Sequence, residues 1–128
     1  MAKAIKMREN IRDKVFEILN DFTKAARSVW GHVTVILVGS YLRGDFNVWS
    51  DIDVLVIVED EDPNPLKRYD KIIPILMRFD IPIEPVIITK KEFFKGLNKK
   101  NPLIMEAMKI GKVFADDLHI FKCLNKHS

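Results

Sequence analysis

The sequence has little of what marks secreted, disulfide-rich or membrane-spanning proteins. Its 128 residues include a single cysteine, Cys123, which excludes an internal disulfide and makes no zinc site by itself. No apolar run approaches the ~18 residues that cross a bilayer, and the charged N-terminus lacks the apolar core of a secretory signal. We therefore expect a cytoplasmic protein that has no membrane partner.

Length and composition predict one nonrepetitive globular domain over residues 1–128. The residues are 48% hydrophobic and 30% charged, which is typical of a folded, soluble chain. A chain of this length is long enough for one core and too short for two. It contains no GxxxxGK[ST] motif, which excludes a P-loop nucleotide site.

Charge is distributed unevenly along the chain. The local balance is +3 over residues 1–30, −5 over residues 31–89 and +5 over residues 90–128. An acidic centre between basic flanks suits a site that binds metal cations, with positive charge nearby for phosphates or an acidic partner. Lysine-rich helices whose charged faces are simply solvated are the alternative.

Periodicity predicts an α/β (α+β) fold, a short mixed sheet with helices packed on it. Apolar residues at helical spacing predict a first helix up to about Val29. Runs rich in β-branched residues predict three strands. The prolines of the third favour a position near the sheet edge, or a strand with missing ladder bonds. The predicted strands are Val33–Val38, Ile52–Val58 and Ile81–Ile88, with a short one at Val113–Ala115. The further helices or turns are Tyr41–Asn47, Pro65–Phe79 with a kink or a break at Pro74, Lys90–Leu97, Asn101–Gly111 and Asp117–Leu124.

The segment GSYLRGDFNVWSDID, residues 39–53, combines three features that suggest phosphate and metal chemistry. Gly39 and Ser40 follow a buried strand, where backbone N–H groups and a hydroxyl can donate to phosphate oxygens. Arg43 lies within reach of the same phosphates. Asp51 and Asp53 are two residues apart, so in an extended segment they face the same way.

Two adjacent carboxylates repel each other unless a cation lies between them. Mg²⁺ prefers a few carboxylate oxygens together with substrate phosphate oxygens. Glu84 is the one acidic residue of the third predicted strand, and a third carboxylate would complete a two-metal site. Taken singly, each feature has a plainer interpretation: a solvated Asp-x-Asp turn, an outward-facing glutamate, or a surface ion pair between Arg43 and Asp45.

The joint pattern of Gly39-Ser40, ten residues, and Asp51-Ile52-Asp53 resembles the nucleotidyltransferase superfamily. That superfamily includes DNA polymerase β and the aminoglycoside nucleotidyltransferases, and the short chain is similar to its minimal nucleotidyltransferase (MNT) branch. Arg43-Gly44 and the apolar run after Asp53 also fit the pattern. Trp49 departs from it, because smaller or polar residues are more usual there.

The resemblance implies a role for each matching residue. Gly39 and Ser40 would hold the terminal phosphates of ATP, and Asp51, Asp53 and Glu84 would bind two Mg²⁺ ions. The reaction would be attack of a hydroxyl on the α-phosphorus with release of pyrophosphate. The implied fold is a mixed sheet with helices on one side.

Small members of the family pair with HEPN-domain toxins, and some transfer AMP to a tyrosine of the toxin. The resemblance therefore implies an antitoxin with a HEPN partner. Two alternatives stay open: an antitoxin that acts by binding alone, and an adenylyltransferase for a small molecule. A nucleic-acid partner is not expected, because no helix clusters base-reading with phosphate-contacting side chains.

Overall fold

The computed structural model describes residues 2–46 and 50–122, with side chains from residue 10 onward. The described residues do not include Trp49 or Cys123. The ends of two predicted helices, at Asn47 and Leu124, also lie outside them. The elements in chain order are α1 (Ala2–Trp30), β1 (Thr34–Val38), α2 (Ser40–Arg43), β2 (Ile52–Val58), α3 (Pro65–Leu76), β3 (Ile83–Thr89), α4 (Lys90–Asn98), α5 (Pro102–Ile110) and β4 (Lys112–Asp116).

The four strands form one mixed sheet in the order β3-β2-β1-β4. β1 is antiparallel to both β2 and β4, whereas β2 and β3 are parallel and connected through α3. Strand β1 is buried along its whole length because it is central and covered on both faces. The predicted short mixed sheet with packed helices is confirmed.

Helices cover both faces of this sheet, so the expectation of helices on one side is wrong. α1 and α3 pack on one face, against Val35, Leu37 and Val56 among others. α4 and α5 pack on the opposite face, where Phe93 and Ile104 join the intervening residues of β1 and β2. Alternation along each strand makes this possible, since both faces of β1 and β2 carry apolar side chains.

Helix α1 follows the predicted apolar stripe. Val15, Leu19, Phe22 and Ala26 recur every three or four residues and are fully buried. The helix ends before Gly31, whose φ of +80° suits the end of a helix.

Strand β3 lies at the sheet edge, as its prolines predict. The carbonyl of Ile87 points away from β2, because it accepts a hydrogen bond from the side chain of Arg68. Alternate residues of a strand direct their backbone groups to the same side, so the missing N–H of Pro85 falls on the open side. Pro85 therefore costs the sheet no ladder bond.

Most helix limits agree with the sequence signals. Thr89 and Glu92 form a capping box at the start of α4, and Asn101 caps α5. α3 ends at Leu76 rather than Phe79 and includes Pro74 within its last turn. After β4 the chain turns and is helical again over residues 120–122.

Among the described residues, every helix is too short or too polar to cross a membrane.

Candidate active site

The backbone at Gly39 lies directly against the side chain of Asp53. Gly39 follows β1 with φ +82° and ψ −158°, a region that only glycine adopts readily. A Cβ at this position would lie 2.3 Å from Oδ2 of Asp53. Glycine is therefore required both by the backbone conformation and by the proximity of the carboxylate.

The short helix α2 turns the chain away from the sheet and places Arg43. The carbonyl of Gly39 accepts hydrogen bonds from the backbone N–H groups of Leu42 and Arg43. Tyr41 is buried, stacks on Phe46 and donates its hydroxyl to the carbonyl of Ser50 at 3.0 Å. These contacts fix both ends of the segment that leads from Gly39 to the aspartates.

Asp53 and Glu84 are neighbours across the two parallel strands. Their Cα atoms are paired in the register of β2 and β3, so their side chains leave the same face of the sheet. Asp53 also pairs with Val38 of β1, the residue before Gly39. Three adjacent strands therefore bring the glycine and two carboxylates together.

Asp51 is exposed and lies just before β2 begins. Its negative charge acts on Asp53. The pKa of Tyr41 is raised first by burial and then by the charge of Asp51. Asp51 is thus electrostatically part of the cluster, although it is not among the residues that line the neighbouring cavity.

A cavity of about 410 Å³ opens at this end of the sheet. Four of the predicted site residues line it, together with apolar residues and Glu106 of α5; the lining comprises Val38, Gly39, Arg43, Asp53, Val54, Glu84, Val86, Leu103 and Glu106. Ser40 is adjacent in the chain but is not part of the lining. The cavity therefore unites residues from β1, α2, β2, β3 and α5.

Arg43 forms two ion pairs beside the cavity. One guanidinium nitrogen, Nη1, lies 2.6 Å from a carboxylate oxygen of Glu106, and Nε lies 3.4 Å from a carboxylate oxygen of Asp45. These contacts raise the pKa of Arg43, with the hydrogen bond to Glu106 the largest cause. The arginine carries its positive charge at the acidic cavity at every pH of interest.

The surroundings of Asp53 oppose its ionisation. Burial raises the pKa of Asp53 most, and the negative charges of Asp51, Glu84 and Glu106 raise it further. The positive charge of Arg43 works in the opposite direction but does not cancel them. A carboxylate held in this way gains more from a nearby cation than an isolated one does.

This donor set fits Mg²⁺ in its chemistry. Asp51, Asp53 and Glu84 supply only carboxylate oxygens, which are the ligands that Mg²⁺ combines with substrate phosphates. The described residues do not, however, draw three acidic or histidine side chains close enough to hold an ion among themselves. Phosphate oxygens and water molecules would complete the coordination.

Glu106 is the charged lining residue that sequence reasoning missed. It lies on α5, 53 residues from Asp53 in sequence, in a segment predicted only to be a helix. The one available signal was its isolation, since it is the only acidic residue of PLIMEAMKI. No local pattern connected it with Arg43.

Comparison with known proteins gives consistent findings. Residues 19–110 match the family model described as "Nucleotidyltransferase domain". A Methanocaldococcus jannaschii chain named "Putative protein adenylyltransferase MJ0141" is 41% identical over 83 residues, which are 60% of this chain and 82% of that one. A second from the same organism, "Putative protein adenylyltransferase MJ1305", is 28% identical over 111 residues, covering 82% and 74%.

A solved structure shares the fold. The Sulfolobus solfataricus chain described as "a putative nucleotidyltransferase" superposes with a TM-score of 0.61 over 84% of this chain and 85% of its own. At 16% identity this likeness concerns the arrangement of helices and strands alone.

Proposed function

The chain belongs to the nucleotidyltransferase domain family and is a nucleotidyltransferase, and on that premise we propose that it transfers AMP from ATP to a hydroxyl group of a partner protein in the presence of Mg²⁺. The acceptor we propose is a tyrosine of a HEPN-domain toxin, which would make this chain an MNT-type antitoxin. The relatives' names, which describe protein adenylyltransferases, favour a protein acceptor over a small molecule.

The observation that carries the proposal is the position of Asp53, against the backbone of Gly39 and opposite Glu84 on the neighbouring strand. The missing side chain at Gly39 lets the carboxylate of Asp53 lie directly against a backbone whose N–H groups can donate to phosphate. The paired Glu84 supplies a second carboxylate on the same face. Phosphate-binding backbone and metal-binding oxygens are thereby adjacent, which a nucleotide triphosphate with its metal requires.

Each residue has a stated part in this proposal. Gly39 and Ser40 hold the β- and γ-phosphates, and Arg43 adds a positive charge to them. Asp51, Asp53 and Glu84 are the residues that would hold Mg²⁺, which when bound stabilises the charge of the entering and leaving oxygens. Glu84 is farther from Gly39 than Asp53 is in the sheet order, and we assign it to the acceptor side of the α-phosphorus.

The transfer forms one bond and breaks another. The acceptor oxygen bonds to the α-phosphorus, while the bond from that phosphorus to the bridging oxygen of pyrophosphate breaks. The proton of the acceptor hydroxyl passes to a base, and we propose Glu84 for this role.

Intact-mass spectrometry of a co-expressed HEPN partner tests the proposal. With ATP and Mg²⁺ the partner should gain the mass of one AMP group per acceptor tyrosine, and fragmentation should locate it there. Asp53→Asn should abolish the gain while leaving the complex intact. A partner that never gains AMP with the wild-type protein would contradict the transfer.

One observation favours a second candidate, an antitoxin that acts by binding alone. Among the described residues, no three metal-ligating side chains lie close enough together to hold an ion. An antitoxin that only covers its toxin would not need a metal site. The variant Asp51→Asn/Asp53→Asn separates the two functions. Neutralisation of the toxin that survives this change supports masking, and neutralisation lost with binding retained supports AMP transfer.

A further inference from the structure

Glu106 faces the cavity from a firmly packed helix. Its neighbours Ile104 and Ala107 are buried in the core between α4, α5 and the sheet. The residue that follows α5 also packs closely on the sheet, since a Cβ at Gly111 would lie 2.5 Å from a methyl group of Ile36. The backbone of Glu106 is therefore held rigidly. Its side chain is 26% exposed, and its carboxylate forms an ion pair with Arg43.

Arg43, in contrast, lies at the end of a four-residue helix. Its side chain is 45% exposed, so without partners it would sample several rotamers. Glu106 and Asp45 each accept one hydrogen bond from the guanidinium. These two contacts use two of the five N–H donors of the guanidinium, and the others can donate to phosphate oxygens.

We infer that Glu106 is a positioning residue for the nucleotide: its carboxylate holds the guanidinium of Arg43 over the cavity, so that Arg43 meets the triphosphate already oriented. This inference rests on the proposed function, because it assigns Glu106 a part in binding the same ATP. The positioning effect of Glu106 passes through Arg43, although its negative charge also acts on Asp53.

Preorganisation rather than stability is the expected effect of this contact. Ion pairs between partly exposed side chains contribute little to folding. Orienting a flexible arginine before binding, however, reduces the entropy that must be lost when the ligand arrives. Loss of Glu106 should therefore weaken ATP binding while leaving thermal unfolding nearly unchanged.

A double-mutant cycle on ATP binding tests the inference. Calorimetry with ATP and Mg²⁺ would compare the wild type, Glu106→Ala, Arg43→Ala and the double variant. Glu106→Ala should raise the Kd roughly tenfold in the wild-type background, the scale of one charge-assisted hydrogen bond. In the Arg43→Ala background the same change should have almost no effect, because Glu106 then has nothing to position.

Glu106→Gln and Lys109→Ala complete the series. Glutamine keeps a hydrogen-bond acceptor, so Glu106→Gln should retain part of the affinity that alanine loses. Lys109 is exposed on the same helix. Lys109→Ala should leave the Kd unchanged, which would show that an alanine in α5 does not by itself weaken ATP binding.

The possible results separate this inference from the proposed function. Equal effects of Glu106→Ala with and without Arg43, or tighter ATP binding by Glu106→Ala, would overturn the positioning role while the proposed function stood. Wild-type protein that binds no ATP with Mg²⁺ would overturn the proposed function and the positioning role together.

Discussion

Gly39 shows most directly how one residue links the fold to the site. Its backbone conformation favours glycine, and any side chain would enter the space of the Asp53 carboxylate. Gly39→Ala should lower the free energy of unfolding by about 3 kcal/mol, from positive-φ strain plus displacement of Asp53. Urea denaturation gives the stability, and calorimetry should show that ATP binding is lost.

Gly31→Ala is the matched control for that prediction. Gly31 also has a positive φ, +80°, but a Cβ there would meet nothing within 4 Å. It should lose only about 1 kcal/mol from strain and bind ATP normally. Equal effects of the two substitutions on ATP binding would contradict the importance of the contact with Asp53.

Asp53→Asn should make the free protein more stable near neutral pH. The folded-state pKa of Asp53 is raised, first by burial and then by the surrounding carboxylates. Above its unfolded pKa the ionised side chain therefore opposes folding, and this cost disappears as pH falls below the unfolded value. Asparagine carries no charge and avoids the cost altogether.

Thermal unfolding at about pH 7 and about pH 4 measures this effect. The Tm of Asp53→Asn should exceed that of the wild type by a few degrees at neutral pH, and the difference should shrink in acid. Asp70→Asn, at an exposed position of α3, is the control. A lower Tm for Asp53→Asn at neutral pH would show that the carboxylate is not destabilising.

Among the secondary-structure elements, β3 depends on a buried arginine. Arg68 of α3 is 4% exposed and donates to the carbonyls of Asp62 and Ile87, at 2.5 and 3.0 Å, and to the carboxylate of Glu92 at 2.6 Å. It therefore joins α3, the open edge of β3 and the start of α4. It also occupies the edge carbonyl of Ile87, which lessens the tendency of β3 to pair with another chain.

Arg68→Met should lower the free energy of unfolding by about 3 kcal/mol. Methionine fills much of the volume but leaves the Ile87 carbonyl without its bond and Glu92 without its charge partner. Arg68→Lys should recover only part of the loss, because an ammonium group cannot form the planar fork. Chemical denaturation measures both, and a methionine variant as stable as the wild type would contradict the role of Arg68.

The same elements show what sequence alone could predict. The strands and the edge position of β3 followed from runs of β-branched residues and from Pro82 and Pro85. The segment from Gly39 to Asp53 was recognisable because its spacing is local. Glu106 was not, because its approach to the site depends on which sheet face a short helix covers, and no local pattern specifies that face. The continuous apolar runs of β1 and β2 did indicate burial on both faces, whereas helices on one side were implied only by the family resemblance.

For the whole molecule, an ion pair between distant segments links stability to pH. Arg27 of α1 donates two hydrogen bonds of 2.9 Å to Asp117, which also accepts from the backbone of Val33. The hydrogen bonds from Arg27 are the largest cause of the lowered pKa of Asp117. This stabilisation is present above the unfolded pKa of an aspartate and is lost as pH falls through the lower folded value.

Asp117→Asn should therefore reduce the free energy of unfolding by about 1 kcal/mol at neutral pH, a modest value because Arg27 is 44% exposed. The difference from the wild type should disappear in strong acid, where Asp117 is protonated and is uncharged like the asparagine. Asp21→Asn, at an exposed position of α1, should show no such pH dependence. A constant difference at all pH values would exclude the ion pair as its source.

The site itself is also a property of the whole chain. Gly39 directly follows β1, and Asp53, Glu84 and Glu106 belong to β2, β3 and α5. They line one cavity only when the sheet and α5 are assembled. Binding of ATP with its metal should accordingly stabilise the whole fold rather than one loop.

Calorimetric titration of ATP, with and without Mg²⁺, tests the central claim most directly. The wild type should bind ATP in a Mg²⁺-dependent manner, and Asp51→Asn/Asp53→Asn should lose that binding while remaining folded. Binding that persists unchanged in the variant, or that does not depend on Mg²⁺, would contradict the placement of the nucleotide at Gly39 and Asp53.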